Sequence, residues 1–136
     1  MKMENLSFKT ICKRLESLDL PKFDLIVGIA EGGIVPASLA AYKTGCDIEI
    51  IKINYRDINN SPSFDKPKLL SKISEFHQKK NILIVDDVSV SGKTLDFAKS
   101  FFRGNEIKTL VLKGKGDFVL FPEIKECVNW PWKMEF

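Results

Sequence analysis

Apolar residues occur at two different spacings along the chain. Near the start, four of them fall close to a period of about 3.6 residues, with charged residues between them: Leu6, Ile11, Leu15 and Leu18. This pattern predicts an amphipathic helix, which Pro21 ends because a proline pushes the residue before it out of helical backbone. From Asp24 onward the apolar residues instead form short continuous runs that glycines and polar residues separate.

The continuous runs have the length of strands and lack polar alternation, which predicts strands buried on both faces, as in a parallel sheet. They cover residues 25–29, 47–53, 81–85, 107–112, 118–121 and 128–132. Helices are predicted between them at residues 34–42, 69–76 and 93–102. Gly45 and Gly104 are well placed to end the first and the last of these helices. The alternation predicts an α/β fold, with a parallel twisted sheet and helices on both faces.

Composition narrows the class of protein. The chain has 136 residues, 44% of them hydrophobic, and no repeat or linker divides it, so we expect one domain over residues 1–136. Lys and Arg total 21 against 18 Asp and Glu, and a net charge of +3 predicts no nucleic-acid surface. No apolar run approaches the roughly 20 residues of a membrane helix. The three widely separated cysteines predict neither a disulfide framework nor a zinc site. We expect a soluble, cytoplasmic protein.

Two loops are candidates for a ligand site, because ligands of open α/β sheets bind beyond the carboxyl ends of the strands. The sharper candidate begins with Asp86 and Asp87, whose adjacent carboxylates are costly at the end of a buried strand unless cations or donors meet them. Ser91, Gly92 and Thr94 then follow where a helix begins, and their hydroxyls and free backbone N–H groups suit a phosphate. An acidic pair before an anion cradle indicates a sugar phosphate as ligand.

Two other known motifs and a purely structural turn share part of this pattern. Gly92-Lys93-Thr94 imitates the end of a P-loop, but Asp87 stands where that motif requires a glycine. A phospho-receiver domain would carry its acidic pair after the first strand rather than in the middle of the chain. A purely structural turn, with Ser91 capping the helix, stays open.

The segment from Ile82 to Thr94 resembles the phosphoribosyl pyrophosphate (PRPP) signature of the type I phosphoribosyltransferases. The resemblance implies a type I phosphoribosyltransferase-like fold in which Asp86 and Asp87 are the catalytic acids. They would bind the ribose hydroxyls directly or through Mg²⁺, with Asp87, or both acids, as metal ligands. Seven residues would wrap the 5′-phosphate: Val88, Ser89, Val90, Ser91, Gly92, Lys93 and Thr94.

A second segment, Val27 to Ala37, is similar to the pyrophosphate loop of the same family and the helix that follows it. By this resemblance the pyrophosphate-binding residues are Ala30, Glu31, Gly32 and Gly33, often with a non-proline cis peptide. Glu31 departs from the family pattern, which has a basic residue there. The polar loop of residues 54–67 occupies the position of a flexible lid, with Tyr55 and Arg56 closing over the site. A surface loop with Tyr55 packed in the core is the alternative.

The C-terminal part looks like the base-binding end of xanthine-guanine and hypoxanthine-guanine phosphoribosyltransferases. The resemblance divides the chain into a core of about residues 24–113 and a small hood segment of about residues 114–136. It implies that Lys113 donates to the 6-oxo group of a purine and that Cys127 and Val128 contact the ring. An exposed lysine at a strand end is the alternative for Lys113.

Three residues of this half depart from the purine pattern. Val90 stands where an aspartate usually exchanges a proton with the base, Cys127 replaces an aromatic stacking residue, and Lys133 stands near an expected acid.

Taken together, these features predict a Mg²⁺-dependent transferase of purine salvage that moves the phosphoribosyl group of PRPP to a xanthine-, guanine- or hypoxanthine-like base. A homodimer is expected by resemblance, with no nucleic-acid or membrane partner. Two alternatives stay open: a PRPP-binding regulatory or non-catalytic member of the family, and a transferase for a non-purine acceptor.

Overall fold

The computed structural model describes residues 3–54, 68–69 and 80–133. The predicted lid residues Tyr55 and Arg56, and all but the first residue of the helix predicted at 69–76, lie outside these ranges. Three helices are described: α1 (Phe8–Ser17), α2 (Ile34–Thr44) and α3 (Lys93–Lys99), which continues as a 3-10 turn over Ser100–Phe102. The strands are β1 (Met3–Asn5), β2 (Leu25–Ala30), β3 (Asp47–Asn54), β4 (Lys68–Leu69), β5 (Asn81–Ser89), β6 (Glu106–Gly114), β7 (Phe118–Val119) and β8 (Cys127–Asn129).

Six of the strands form the main sheet, in the order β4-β3-β2-β5-β6-β7. Five of them are parallel, and β4 is antiparallel to β3 at one edge. Five consecutive residues of β2 are buried, as its unbroken apolar run predicts. The parallel α/β sheet expected from the sequence is therefore confirmed.

Helices cover both faces of this sheet. On one face, α1 and α2 pack on alternate residues of the central strands, among them Ile26, Leu83 and Val85. On the other face, α3 packs on the residues between them, such as Val27 and Ile84. Successive residues of each strand thus pack into two separate apolar layers, which explains why residues 25–29 and 82–85 include no polar side chain.

The ends of the helices follow the local sequence. Ser7 caps α1 by accepting a hydrogen bond from the backbone N–H of Thr10 at 3.0 Å, so the helix begins after Leu6 rather than with it. Gly45 ends α2 with φ of +73°, as predicted. Within the described residues, no helix is long and apolar enough to span a membrane.

Three predictions about the strands need correction. Leu69 does not begin a helix, because the structure pairs it with Ile53 as part of β4. The strand predicted at 81–85 continues to Ser89, since β6 runs alongside it as far as Gly114. The last strand spans Cys127–Asn129 and is shorter than predicted, because Trp130 to Lys133 form a turn.

The hood segment is tied to the rest of the chain at three places. Its strand β8 pairs in parallel with β1, a strand that the sequence pattern did not predict. Trp130 is only 2% exposed and lies in the same apolar layer as α1 and α2. Arg14 of α1 forms a two-point ion pair with Glu123, donates to the carbonyl of Leu120 at 2.7 Å and lies over the ring of Phe121. These contacts fix the C-terminal segment beside the carboxyl ends of the strands.

Candidate active site

The candidate site lies where the order of the strands reverses. Strands β2 and β5 are neighbours in the sheet, but the chain continues from β2 to β3 on one side and from β5 to β6 on the other. The loops after two such strands diverge and leave a crevice, which is the usual ligand site of open α/β sheets. The two loops singled out by sequence follow β2 and β5.

The loop after β2 passes very close to its neighbours. The peptide bond between Ala30 and Glu31 is cis, as the resemblance implied. At Gly33 a Cβ atom would lie 2.5 Å from the carbonyl oxygen of Val85 and 2.6 Å from that of Ile29. Only glycine fits at this approach of loop to strand, so Gly33 fixes the path by which the chain enters α2.

Gly32 brings the two loops into contact. A Cβ atom on Gly32 would lie within 2.5 Å of atoms of the Asp87 carboxylate. The predicted pyrophosphate loop and the predicted acidic pair are therefore parts of one site, as their positions in the sheet require.

The acidic pair is half-buried and partly satisfied by its own backbone. Asp87 N–H donates to Asp86 Oδ1 at 2.8 Å, and Val88 N–H donates to Asp87 Oδ1 at 2.7 Å. Burial raises the pKa of Asp86 to about 8, and the neighbouring Asp87 carboxylate adds to this shift while Lys133 opposes it. Two carboxyl groups with little solvent between them favour a cation or a hydroxyl donor as ligand.

Lys133 meets this pair from the hood segment. Its Nζ lies 3.5 Å from Asp87 Oδ2, and the Asp87 side chain is 13% exposed against 57% for Lys133. The sequence placed Lys133 near an expected acid but did not predict this contact. The turn from Trp130 to Lys133 brings the two residues together, and the sequence pattern did not indicate it. A 3.1 Å backbone hydrogen bond closes this turn and directs the lysine towards the sheet.

Glu31 forms an ion pair with Lys52, whose Nζ lies 3.5 Å from Glu31 Oε1. Sequence reasoning did not single out Lys52. Its position was accessible in principle, because β2 and β3 are adjacent and Lys52 lies opposite Ala30 in the register. The negative charge that departs from the family pattern is thus matched locally by a lysine from the next strand.

The predicted 5′-phosphate loop divides into two parts. Val88 and Ser89 belong to β5, where Val88 packs against the core and the Ser89 carbonyl accepts from Lys115 N–H at 2.8 Å. Residues 90–94 form the exposed turn and the start of α3. Gly92, with φ of +86°, is the N-cap of α3, and no side chain caps the helix there. Lys93 N–H donates to Ser91 Oγ at 3.2 Å, so Ser91 stabilises the turn before the helix and is not its N-cap.

The predicted base-binding residues do not converge. Lys113 lies opposite Val88 near the end of β6 and lines a cavity of about 300 Å³. The other lining residues are Gly114, Phe121, Pro122, Ile124 and Lys125. Cys127 is exposed on β8 and Val128 packs on the core, and neither lines this cavity.

The acidic pair suits Mg²⁺ when a phosphate ligand is present. Among the residues that the structure describes, no cluster of three or more His, Cys, Asp or Glu side chains could hold a metal alone. Mg²⁺ commonly takes one or two carboxylates and completes its octahedron with waters and substrate phosphates, and Asp86 with Asp87 can supply that part.

This fold and this pair of loops are typical of α/β proteins that bind nucleotides or sugar phosphates. Residues 7–133 match the phosphoribosyl transferase domain. The match covers nearly the whole chain, so the protein belongs to the phosphoribosyltransferase domain family, and the class of enzyme predicted from the sequence is confirmed.

Solved structures agree at the level of the fold. The purine phosphoribosyltransferase from Pyrococcus horikoshii is 23% identical, with 99% of this chain and 97% of that chain covered and a TM-score of 0.77. The xanthine-guanine-hypoxanthine phosphoribosyltransferase of Helicobacter pylori is 17% identical, with 96% and 94% covered and a TM-score of 0.74. A Neisseria gonorrhoeae hypothetical protein with bound ppGpp is 22% identical, with 98% and 90% covered and a TM-score of 0.75.

Proposed function

We propose that this phosphoribosyltransferase transfers the 5-phosphoribosyl group of PRPP to a purine base. The observation that carries the proposal is the contact of Gly32 with the Asp87 carboxylate, which joins a glycine loop and an acidic pair in one crevice. PRPP carries a diphosphate and two ribose hydroxyls at adjacent carbons. The glycine loop offers backbone groups to the diphosphate, and the acidic pair offers carboxylates to the hydroxyls.

The two loops divide the substrate between them. Residues 30–33 take the pyrophosphate with their backbone, Asp86 and Asp87 hold the ribose 2′- and 3′-hydroxyls, and residues 88–94 take the 5′-phosphate with backbone N–H groups and hydroxyls. Mg²⁺ held by Asp87, or by both acids, supplies positive charge to the leaving pyrophosphate. A ring nitrogen of the base attacks the anomeric carbon and the bond from that carbon to the pyrophosphate oxygen breaks. The base releases its ring N–H proton to water, and a nucleoside monophosphate and pyrophosphate result.

Positioning and electrostatics account for the catalysis in this arrangement. The acidic pair holds the ribose rigidly because both carboxylates are themselves held by backbone N–H groups. Tyr55 and Arg56 of the predicted lid would close over the anomeric carbon and exclude water, which would otherwise hydrolyse PRPP.

A purine acceptor is supported by the base end of the site and by the solved neighbours. The Pyrococcus horikoshii and Helicobacter pylori enzymes of the same fold are named for purine substrates. In this chain the cavity beside Lys113 takes the base, with the lysine donating to an oxo group. The contact of Cys127 and Val128 with the ring is proposed on the resemblance alone, since neither residue lines this cavity. The role in purine salvage follows from this acceptor.

A homodimer is part of the proposal. Four large apolar side chains are exposed on or beside α2: Ile34, Tyr42, Ile48 and Ile50. Ile50 and α2 lie on the same face of the sheet, because a Cβ atom on Gly28 would touch both Ala37 and Ile50. An apolar surface of this kind suits a second copy of the chain. We further propose one domain over residues 1–136, a cytoplasmic location and no nucleic-acid partner.

Release of pyrophosphate tests the function. The protein is mixed with PRPP and Mg²⁺ and, separately, with xanthine, guanine, hypoxanthine, adenine and orotate, and a reaction without base measures hydrolysis. The proposal expects release with a 6-oxopurine, and D87N should lower turnover at least tenfold. D19N, an exposed aspartate before β2, is the matched control and should behave as the unaltered protein.

A non-catalytic, PRPP-binding protein is the second candidate, and the exposed Val90 at the place of a usual acid favours it. PRPP raises the melting temperature under both proposals, by mass action. Stabilisation by PRPP without pyrophosphate release from any base would therefore select this second candidate, while release with orotate alone would select a non-purine acceptor.

A further inference from the structure

The two oxygens of the Asp87 carboxylate have different partners. Oδ1 accepts the backbone N–H of Val88 at 2.7 Å, within the same strand. Oδ2 lies 3.5 Å from the ammonium of Lys133, a residue of the C-terminal segment that is distant along the chain. Oδ2, the oxygen that could bind a metal ion, is therefore already next to the lysine ammonium.

The position of Lys133 is set by the packing of the segment before it. Trp130 is buried in the layer that holds α1 and α2, and its ring stacks on Trp132 at 5.6 Å with an interplanar angle of 2°. The Trp130 carbonyl accepts the backbone N–H of Lys133 at 3.1 Å. The turn that carries Lys133 is therefore held in place by packing. Only the end of the lysine side chain has to move to reach or leave the Asp87 carboxylate.

The ion pairs around the site show which cation meets the acidic pair. Glu31, the acid of the glycine loop, lies against Lys52 at 3.5 Å. The Asp87 carboxylate lies in a half-buried crevice, and among the ion pairs of the described residues the one that reaches the acidic pair comes from Lys133. A protein that binds a divalent cation at such a carboxylate must otherwise leave its charge uncompensated when the cation is absent.

We propose that Lys133 is a built-in cation of the acidic pair: its ammonium takes the place of a divalent ion at Asp87 in the substrate-free protein, and a divalent ion must displace it to bind. The inference rests on the proposed function only in taking Asp87 as a metal ligand. The C-terminal segment then controls when the metal binds. The metal binds together with the substrate and not before it, because the phosphates of the substrate add metal ligands and so allow the metal to displace the lysine.

Metal binding to the substrate-free protein tests this without any turnover. Mn²⁺ takes the same oxygen ligands as Mg²⁺, and its electron paramagnetic resonance signal measures the free ion directly. We expect K133M to bind Mn²⁺ at least tenfold more tightly than the unaltered protein, at fixed ionic strength. K133R keeps the charge and should stay within about twofold of the unaltered protein.

Two further variants locate the effect. K22M removes an exposed lysine before the amino end of β2, whereas Asp87 lies near the carboxyl end of β5, and it should leave Mn²⁺ binding unchanged. K133M combined with D87N should lose the gain of K133M, because the exposed oxygen is then gone. K133M, K133R and K22M should melt within a few degrees of the unaltered protein, because Lys133 and Lys22 are both exposed.

Three results would overturn the inference: K133M that binds Mn²⁺ no more tightly, K133R that matches K133M, or tight binding that survives D87N. Each concerns the ligand-free protein, so it is independent of the base assay. Tighter metal binding by K133M with no pyrophosphate release from any base would keep this inference and refute the proposed transfer, and the reverse pair of results would do the opposite.

Discussion

Gly32 lies directly against the carboxylate of Asp87, so closely that a single methyl group at residue 32 would overlap it. The glycine belongs to the loop after β2 and the aspartate to β5, the two strands at which the order of the sheet reverses. This contact joins the proposed diphosphate loop to the proposed ribose and metal site. A displacement of the loop at Gly32 therefore changes the space around the Asp87 carboxylate.

G32A should damage the site while leaving the fold intact. The new Cβ would push the loop away from Asp87, and we expect PRPP and pyrophosphate to bind at least tenfold more weakly by calorimetry. G28A is the matched comparison, because its Cβ would lie 2.6 Å from that of Ala37 inside the core. Overpacking of this kind costs about 1–3 kcal/mol, so G28A should lower the melting temperature and bind PRPP normally when folded. Equal binding by G32A and the unaltered protein would contradict the proposed coupling.

The acidic pair predicts a pH dependence of stability. The pKa of Asp86 is raised to about 8, so between about pH 4 and pH 8 the folded protein keeps a proton that the unfolded chain releases. Stability from this group is present at low pH and is lost as pH rises through that window. D86N, which stays neutral, should be more stable than the unaltered protein at pH 8.5, by several kcal/mol, and nearly equal to it at pH 4.

Urea unfolding of both proteins at the two pH values, without metal or PRPP, measures this difference. D19N serves as the control, since its carboxylate is exposed. A difference between D86N and the unaltered protein that does not grow with pH would show that Asp86 is already ionised in the folded state.

Local sequence was sufficient to predict much of this site. The run from Ile82 to Val85 predicts a buried strand because it has no polar position, and the two acids after it have no inexpensive place in a core. The glycine pair after β2 predicts the close loop because no other residue fits at Gly33. In each case a few adjacent residues contain the physical reason.

Contacts between distant segments were not predictable in the same way. Asp87 meets Lys133 only because Trp130 is buried beside α1 and because β8 pairs with β1, two results of tertiary packing. The three residues of β1 have no periodicity long enough to indicate a strand. Lys52 is paired with Glu31 because β3 lies next to β2, and that order becomes known only with the sheet.

Lys52 should matter for the anion and little for the fold. The ion pair with Glu31 is exposed, and such pairs contribute about 0–1 kcal/mol to stability. K52M would leave the Glu31 charge facing the incoming pyrophosphate, and we expect pyrophosphate with Mg²⁺ to bind about tenfold more weakly. K52M combined with E31Q should recover most of the loss, and the recovery should shrink in high salt. Failure of E31Q to restore binding would mean that Lys52 acts by a route other than Glu31.

Val90 offers the sharpest test of the acceptor. Its side chain is 80% exposed in the turn before α3, so V90D should not change the melting temperature. If a 6-oxopurine is the acceptor, an acid at this position would exchange a proton with the base, a contribution that is typically about 100-fold or more. We expect V90D to raise turnover with hypoxanthine at least tenfold, with V90N, which has the same shape and no acid, unchanged. Equal turnover by V90D and V90N would argue that the acceptor does not place its reacting nitrogens beside residue 90, which would favour a non-purine base.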